Sequence, residues 1–318
     1  MRVIRIGTRG SALALAQARW VRRRLENHHA GVKVQAVIIK TSGDRALNTP
    51  ITDVGGKGIF VKEIEEALFR REIDLAVHSM KDLPTELPAG LTVAAIPERE
   101  DPSDVLVSMK RVSLKDLPSG TRIGTGSLRR RAQILHYRCD LQVLPVRGNI
   151  DTRLKKLERG DMDTLVMAIA GLRRIGRVDH ISEILPPEIC LSAVAQGALG
   201  LESREGDPVI DEVAFLHHPA TAVEISAERE FLRRLEGGCQ IPVGARACAE
   251  VGGVRLRGVI ADLDGDKLFR GEISGSRDEA KKLGQELAER LLNKGADTVL
   301  ESLRGTFGER KIDHGSGQ

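Results

Sequence analysis

Aromatic side chains are scarce in this chain: one Trp, one Tyr and six Phe in 318 residues, 3% of the total. Any core must therefore be aliphatic. The stacking set on which single-stranded nucleic-acid binders depend is missing, as are an RNP-like run and a lysine-rich tail. No apolar run approaches the ~20 residues of a membrane-spanning helix. The start, Met1-Arg2-Val3-Ile4-Arg5-Ile6-Gly7, alternates like a strand and lacks the long apolar stretch of a secretory signal. These absences predict a soluble cytoplasmic protein with neither a membrane nor a nucleic-acid partner. The four cysteines (Cys139, Cys190, Cys239 and Cys248) show no C-x-x-C or Cys/His metal spacing, so reduced thiols and no metal site are expected. No repeat of fixed period is visible.

What is present is an ordinary apolar fraction, 41%, and a length that suggests two or three domains at roughly 100–200 residues each. The net charge is only +4, but 35 of the 49 basic residues are Arg. Arg offers a planar fork that matches a carboxylate or phosphate bidentately. A small polyanionic substrate explains such an excess; a surface laced with ion pairs explains it too.

Residues 3–7 read as a strand, and Ser11 can cap a helix through about Glu26. A second strand covers 32–39. Thr41 to Gly58 is a polar, glycine-rich stretch of a length usually kept for functional loops. A helix over about 59–70 and a buried strand over 73–77 complete a β-α-β-α-β order, which implies parallel pairing with helices on both faces. The pattern restarts after 97–102, with strands at 104–108, 122–126, 141–146 and 164–169. Ser127 and Asn149 cap the helices to Tyr137 and Glu158. Gln196 to Leu201 reads as a strand returning to the first unit. From His218 the character changes to a helix over 221–235, strands at 245–250, 254–263 and 268–274, an Asp264-Gly265 hairpin and a helix over 278–294. The expected fold is α/β: two doubly wound, periplasmic-binding-protein-like domains joined by a hinge, plus a small C-terminal α+β domain. The expected boundaries are 1–98 with 198–217, then 99–197, then 218–318.

Two runs stand out. Cys239 lies in Glu236-Gly237-Gly238-Cys239-Gln240, where the glycines give it nothing to pack against and let it project. Asp82 lies in Val77-His78-Ser79-Met80-Lys81-Asp82-Leu83-Pro84, just past an apolar strand, at the rim of a sheet. Alone, Asp82 reads as a turn residue before proline, and His78 as a satisfied supporting residue. Three turns, 7–11 with Arg9, 124–130 with Arg129 and Arg130, and Arg147-Gly148-Asn149, each follow a strand and precede a helix. Free N–H groups and the positive end of the helix dipole favour anions there. Arg153 and Arg174 either join them or are solvated helix charges.

The runs 54–60, 77–84, 124–130 and 236–244 resemble the porphobilinogen deaminase (hydroxymethylbilane synthase) family, and the resemblance extends from Arg5 to about Leu303. Two positions depart from its pattern: Ala195 stands where glycine is expected, and Gly126 where serine is common. The resemblance implies a transferase of porphyrin and heme biosynthesis, a monomer, that joins four porphobilinogen molecules head to tail and releases ammonia. It implies a dipyrromethane cofactor attached to Cys239 by a thioether. It further implies Asp82 as the catalytic acid. The cofactor would be held by Lys81, Arg129, Arg130, Ser127 and Asp82, and the substrate by Arg9, Ser11, Arg147, Arg153, Arg174 and Gln196. Asp44, Lys57 and Phe60 would belong to a lid. Two rivals remain open to the residues alone. A hinge-closing anion-binding protein leaves Cys239 without a role, and a nucleic-acid binder leaves Asp82 without one.

Overall fold

The computed structural model describes residues 2–45, 61–235 and 241–303, with only the backbone of residues 44 and 45. The chain forms β1 (Arg2–Thr8), α1 (Ala12–His28), β2 (Val32–Ile38), the short α2 (Ser42–Arg45), α3 (Lys62–Phe69), β3 (Leu75–Ser79) and β4 (Leu91–Ala95). It continues through β5 (Asp104–Val107), β6 (Arg122–Gly124), α4 (Leu128–Tyr137), β7 (Gln142–Leu144), α5 (Ile150–Glu158), β8 (Thr164–Ala168), α6 (Ile169–Arg174) and β9 (Ile181–Ile184). The last stretch holds β10 (Leu199–Arg204), α7 (Val209–Val213), α8 (Pro219–Arg234), β11 (Val243–Glu250), β12 (Gly253–Ala261), β13 (Leu268–Gly275) and α9 (Ala280–Leu291).

Two five-stranded sheets, ordered β2-β1-β3-β10-β4 and β7-β6-β8-β5-β9, share one design. Three strands pair in parallel, as the β-α-β-α-β pattern predicts. The fourth, β10 or β5, runs antiparallel to both its neighbours. The reversal follows from connectivity. The chain leaves the first sheet through residues 96–103 to enter β5 and returns through 185–198 to β10, so each sheet receives one strand from the opposite side. Two crossovers joining two lobes make a hinge over a cleft.

Both lobes are covered on both faces, and the period of two along the strands shows why. Leu75 and Val77 of β3 pack with Val21 and Leu25 of α1, whereas Ala76 packs with Ile64 and Leu68 of α3. In the second lobe Val105, Val107, Leu165 and Met167 meet Leu154 and Leu157 of α5, while Leu106 and Val166 meet Ile134 of α4. The third sheet, β11-β12-β13, is an antiparallel meander covered by α8 and α9.

The local signals hold where they are local. Ser11, Ser127 and Asn149 cap α1, α4 and α5 by accepting hydrogen bonds from the backbone N–H groups of Ala14, Arg130 and Thr152. Other expectations need correction. The helix read as starting at Thr221 starts at Pro219 under a His218 cap, because proline suits a first helical turn. The strand read over 141–146 is only Gln142–Leu144, since Pro145 cannot donate to a ladder. Gln196 and Gly197 precede β10 in a turn, with φ +58° at Ala195 and +91° at Gly197. The periodicity did not show β4, β9 or α7.

Candidate active site

Among the described residues, Arg9, Ser11 and Asp82 line one cavity of the first lobe, and Arg129, Arg130 and Gln196 form one cluster in the second. Asp82 ends a single 3₁₀ turn, Met80–Asp82, that follows β3 directly. Met80 is buried, and its N–H donates to the Ala198 carbonyl at 3.0 Å, so this turn is pinned to the start of β10. Lys81 and Asp82 are left exposed at the rim. Beneath them is a cavity of about 60 Å³ lined by Arg9, Ser11, Gln17, His78, Ser79 and Asp82. Its floor is ordered by Gln17, whose Nε2 donates to Ser79 Oγ at 2.9 Å. His78 lies below, with Nε2 2.8 Å from the buried Glu202 Oε2. That fits the reading of His78 as a supporting residue.

Arg129 and Arg130 do not reach into open solvent. Both are buried, and both close on Asp104, at 2.7 Å (Nη1 to Oδ2) and 2.8 Å (Nη2 to Oδ1). The two guanidiniums hold the Asp104 carboxyl far below the usual carboxylate range, against the opposing effect of burial. Arg129 also donates to the Leu191 carbonyl, and Arg130 Nη1 to the Val166 carbonyl at 3.1 Å. Gln196 completes the cluster. Its Nε2 donates to Asp104 Oδ1 (2.8 Å) and to the Pro102 carbonyl (2.6 Å), and its Oε1 accepts from Arg130 Nη2 (3.3 Å).

Lys81 of the first lobe senses this cluster across the cleft. Burial within the crowded cleft lowers its ammonium pKa even though its surface meets solvent. Asp82 and Asp104 oppose that shift, and Arg130 and Arg129 reinforce it. Arg153 is half-buried, with Nε donating to the Gly148 carbonyl at 2.8 Å. Desolvation, aided by Arg130, pushes its pKa down to about 10, and among the described residues no carboxylate pairs with it. Arg174, on α6, donates from Nη2 to the Gly197 carbonyl at 2.6 Å and is likewise brought down to about 10 by burial. It also lines a second cavity of about 330 Å³ between α1 and α6, with Arg19, Arg177 and Asp151. Arg9 and Arg147 are half-buried and each already has an interaction partner. Ser11 and Ser127 are engaged as helix caps.

Cys239, Lys57 and Phe60 lie outside the described residues, as does the side chain of Asp44, whose backbone belongs to α2. The described chain ends at Leu235 and resumes at Ile241. Leu235 and Ile241 pack in the same core cluster as Met80 and Leu83, which flank Lys81-Asp82, and as Ala195, next to Gln196. Of the other thiols, Cys139 and Cys248 are exposed. Burial beside Asp104 pushes Cys190 up to about 12, so it stays a thiol.

The two departures from the family pattern have visible geometry. A Cβ on Gly126 would sit 2.7 Å from the Val146 carbonyl oxygen, so glycine lets the Gly126 and Arg147 turns approach each other. Ala195 adopts the left-handed conformation that favours glycine. The sequence reading missed Asp104. A charged residue opening the buried run Val105-Leu106-Val107 was the available signal.

Fold and cleft together define a hinged, two-lobed α/β protein whose cleft concentrates guanidinium groups opposite a carboxylate, with a third unit docked behind it. A family model described as porphobilinogen deaminase, dipyromethane cofactor binding domain, matches residues 4–212, and one described as porphobilinogen deaminase, C-terminal domain, matches 222–293. The chain is 50% identical over 303 residues to the porphobilinogen deaminase of Pelobacter propionicus, covering 95% of this chain and 97% of that relative. It is 51% identical over 298 residues to that of Geobacter metallireducens, covering 93% of each. With that of Carboxydothermus hydrogenoformans it shares 49% over 300 residues, covering 94% of this chain and 96% of the relative. The chain belongs to the porphobilinogen deaminase family.

Proposed function

We propose that this protein joins four porphobilinogen molecules head to tail into linear hydroxymethylbilane, releasing one ammonia per addition. The observation that carries the reading is the family match over both regions of the chain. The structure adds a cleft suited to that chemistry. Each pyrrole brings an acetate and a propionate, so the growing chain is a polyanion. The cleft has buried and half-buried cations to receive it: Arg129 Nε is buried without a hydrogen-bond partner among the described residues, and the half-buried Arg153 has no carboxylate partner there. These donors fit the carboxylates of a dipyrromethane. We assign Lys81, Ser127, Arg129 and Arg130 to holding that group, with Cys239 as its thioether anchor. When bound, the group supplies the pyrrole end from which the chain grows.

Loss of ammonia from the aminomethyl group of porphobilinogen leaves a cationic pyrrole. In this reading Asp82, exposed at the rim beside the inner cavity, balances that charge and accepts the proton released when the new carbon–carbon bond forms. Arg9, Arg147, Arg153 and Arg174 hold substrate carboxylates, with Ser11 and Gln196 supporting them. Asp44, Lys57 and Phe60 belong to a lid. The working parts are residues 1–98 with 198–217, 99–197 and 218–318. Among the described residues no helix is long and apolar enough to cross a membrane; we place the protein in the cytoplasm, as a monomer. Intact mass of the purified chain tests the reading. A covalent adduct is expected in the wild type and its loss in Cys239→Ser, since a hydroxyl is a far weaker nucleophile than a thiol near neutral pH. An adduct that persists in the serine variant refutes the anchor.

A further inference from the structure

Asp104 opens β5 at the end of the first crossover and is completely buried. Its carboxylate accepts five hydrogen bonds. Oδ1 takes Arg130 Nε (3.0 Å), Arg130 Nη2 (2.8 Å) and Gln196 Nε2 (2.8 Å). Oδ2 takes Arg129 Nη1 (2.7 Å) and the Cys190 thiol (3.3 Å). One carboxylate needs one guanidinium for neutrality. Here two share it, which leaves one positive charge uncompensated among the described residues, in a space nearly closed to water. Such a charge is unfavourable unless a further anion meets it. Among the described residues the neighbours do not supply one: Lys81 and Arg153, which also sense Arg130, add positive charge, and Asp82 lies at the exposed rim beside Lys81. Arg129 Nε, without a hydrogen-bond partner among the described residues, shows where donor capacity remains.

We infer that Asp104 is a positioning residue: it aims the Arg129–Arg130 pair and sets its charge so that a carboxylate of the bound pyrrole chain completes the cluster. The inference rests on the proposed reading that this pair holds the dipyrromethane. Asp104 also ties the pair to the hinge. Gln196 belongs to the returning crossover, and its Nε2 bridges Asp104 to the Pro102 carbonyl of the outgoing one. The arginines are thus oriented from both crossovers, and a small displacement of such a grip is enough to disturb placement of what it holds.

The test measures the fraction of purified full-length chains that carry the covalent adduct, by intact mass, in wild type, Asp104→Asn, Asp104→Glu, Arg129→Gln and Leu25→Ala. Leu25 is a fully buried leucine at the far end of α1, about 20 Å along that helix from Ser11. It controls for simple loss of stability, each variant being produced and assayed at the same interval below its own Tm. Asp104→Asn is expected to load at least about tenfold less than Leu25→Ala. Equal loading of the two would overturn the inference. If Asp104→Asn does not fold, Asp104→Glu decides. It keeps the charge but displaces both guanidiniums, so reduced loading supports a positioning role and full loading refutes it. Arg129→Gln separates the two levels of the argument. Normal loading there removes the reading that the pair holds the cofactor. Failed loading there with normal loading in the Asp104 variants removes only the role of Asp104.

Discussion

Glu228 on α8 is the residue whose loss should most disturb the joint between the two lobes and the third sheet. Its side chain is fully buried. Oε1 accepts from Arg99 Nη1 at 2.6 Å and from the Ala247 N–H at 2.7 Å; Oε2 accepts from Arg99 Nη2 at 3.1 Å and from the Ala195 N–H at 2.6 Å. Arg99 lies on one crossover and Ala195 on the other, while Ala247 is in β11. One carboxylate therefore binds both hinge strands to the third unit. In Glu228→Gln the amide NH₂, in either orientation, faces a backbone N–H that needs an acceptor, and Arg99 keeps its charge with the main partner gone. Removing one partner of a buried pair costs about 3–5 kcal/mol. At roughly 2–4 °C per kcal/mol for a chain of this order, Tm should fall by about 6–20 °C. Thermal unfolding followed by circular dichroism measures it, and hydrogen exchange at the Ala195 and Ala247 amides localises it. Glu224→Gln is the control, because that carboxylate is 3.6 Å from Arg99 and partly exposed. A fall of less than about 2 °C in Glu228→Gln, or an equal fall in the control, would refute the clamp, since a fully desolvated pair cannot be removed so lightly.

Three further outcomes are expected. Asp82→Asn should fold and load cofactor but lose about 10²–10⁴-fold in turnover, measured as ammonia release, because the amide keeps the shape without the charge or the proton-accepting group. More than a tenth of wild-type activity would count against Asp82. Arg147→Lys keeps the charge but not the fork, so the enzyme should accumulate partly extended chains, seen as a ladder of added masses; an unaltered pattern would make Arg147 a structural charge. Glu65→Gln should raise Tm at pH 7. Burial first, and then Glu202, hold the Glu65 carboxyl pKa above its unfolded value. Its ionised form therefore opposes folding at neutral pH, and this penalty disappears as pH falls below the unfolded pKa near ~4.3. A Tm gain that is the same at pH 7 and pH 4 would show that charge is not the cause.

Much of this protein was legible in its sequence because the signals act over one turn or one strand. Ser11, Ser127 and Asn149 each cap a helix through an N–H only three residues ahead, so neighbouring residue types suffice to place α1, α4 and α5. The same locality shows the apolar run that forms β5, Asp104–Val107, read from the sequence as a strand over 104–108. Tertiary structure alone decided the rest. Whether Arg129 and Arg130 are solvated forks or a buried pair depends on Asp104, which is 25 and 26 residues away in sequence and becomes their neighbour only when β5 enters the sheet antiparallel beside β8. Glu228 meets Arg99 across 129 residues of chain. His78 gains its partner only because β10 returns beside β3. Capping and periodicity are set by the backbone geometry of adjacent residues. Ion-pair partners are set by which crossovers bring distant segments together, and the crossovers leave no periodic trace in the sequence.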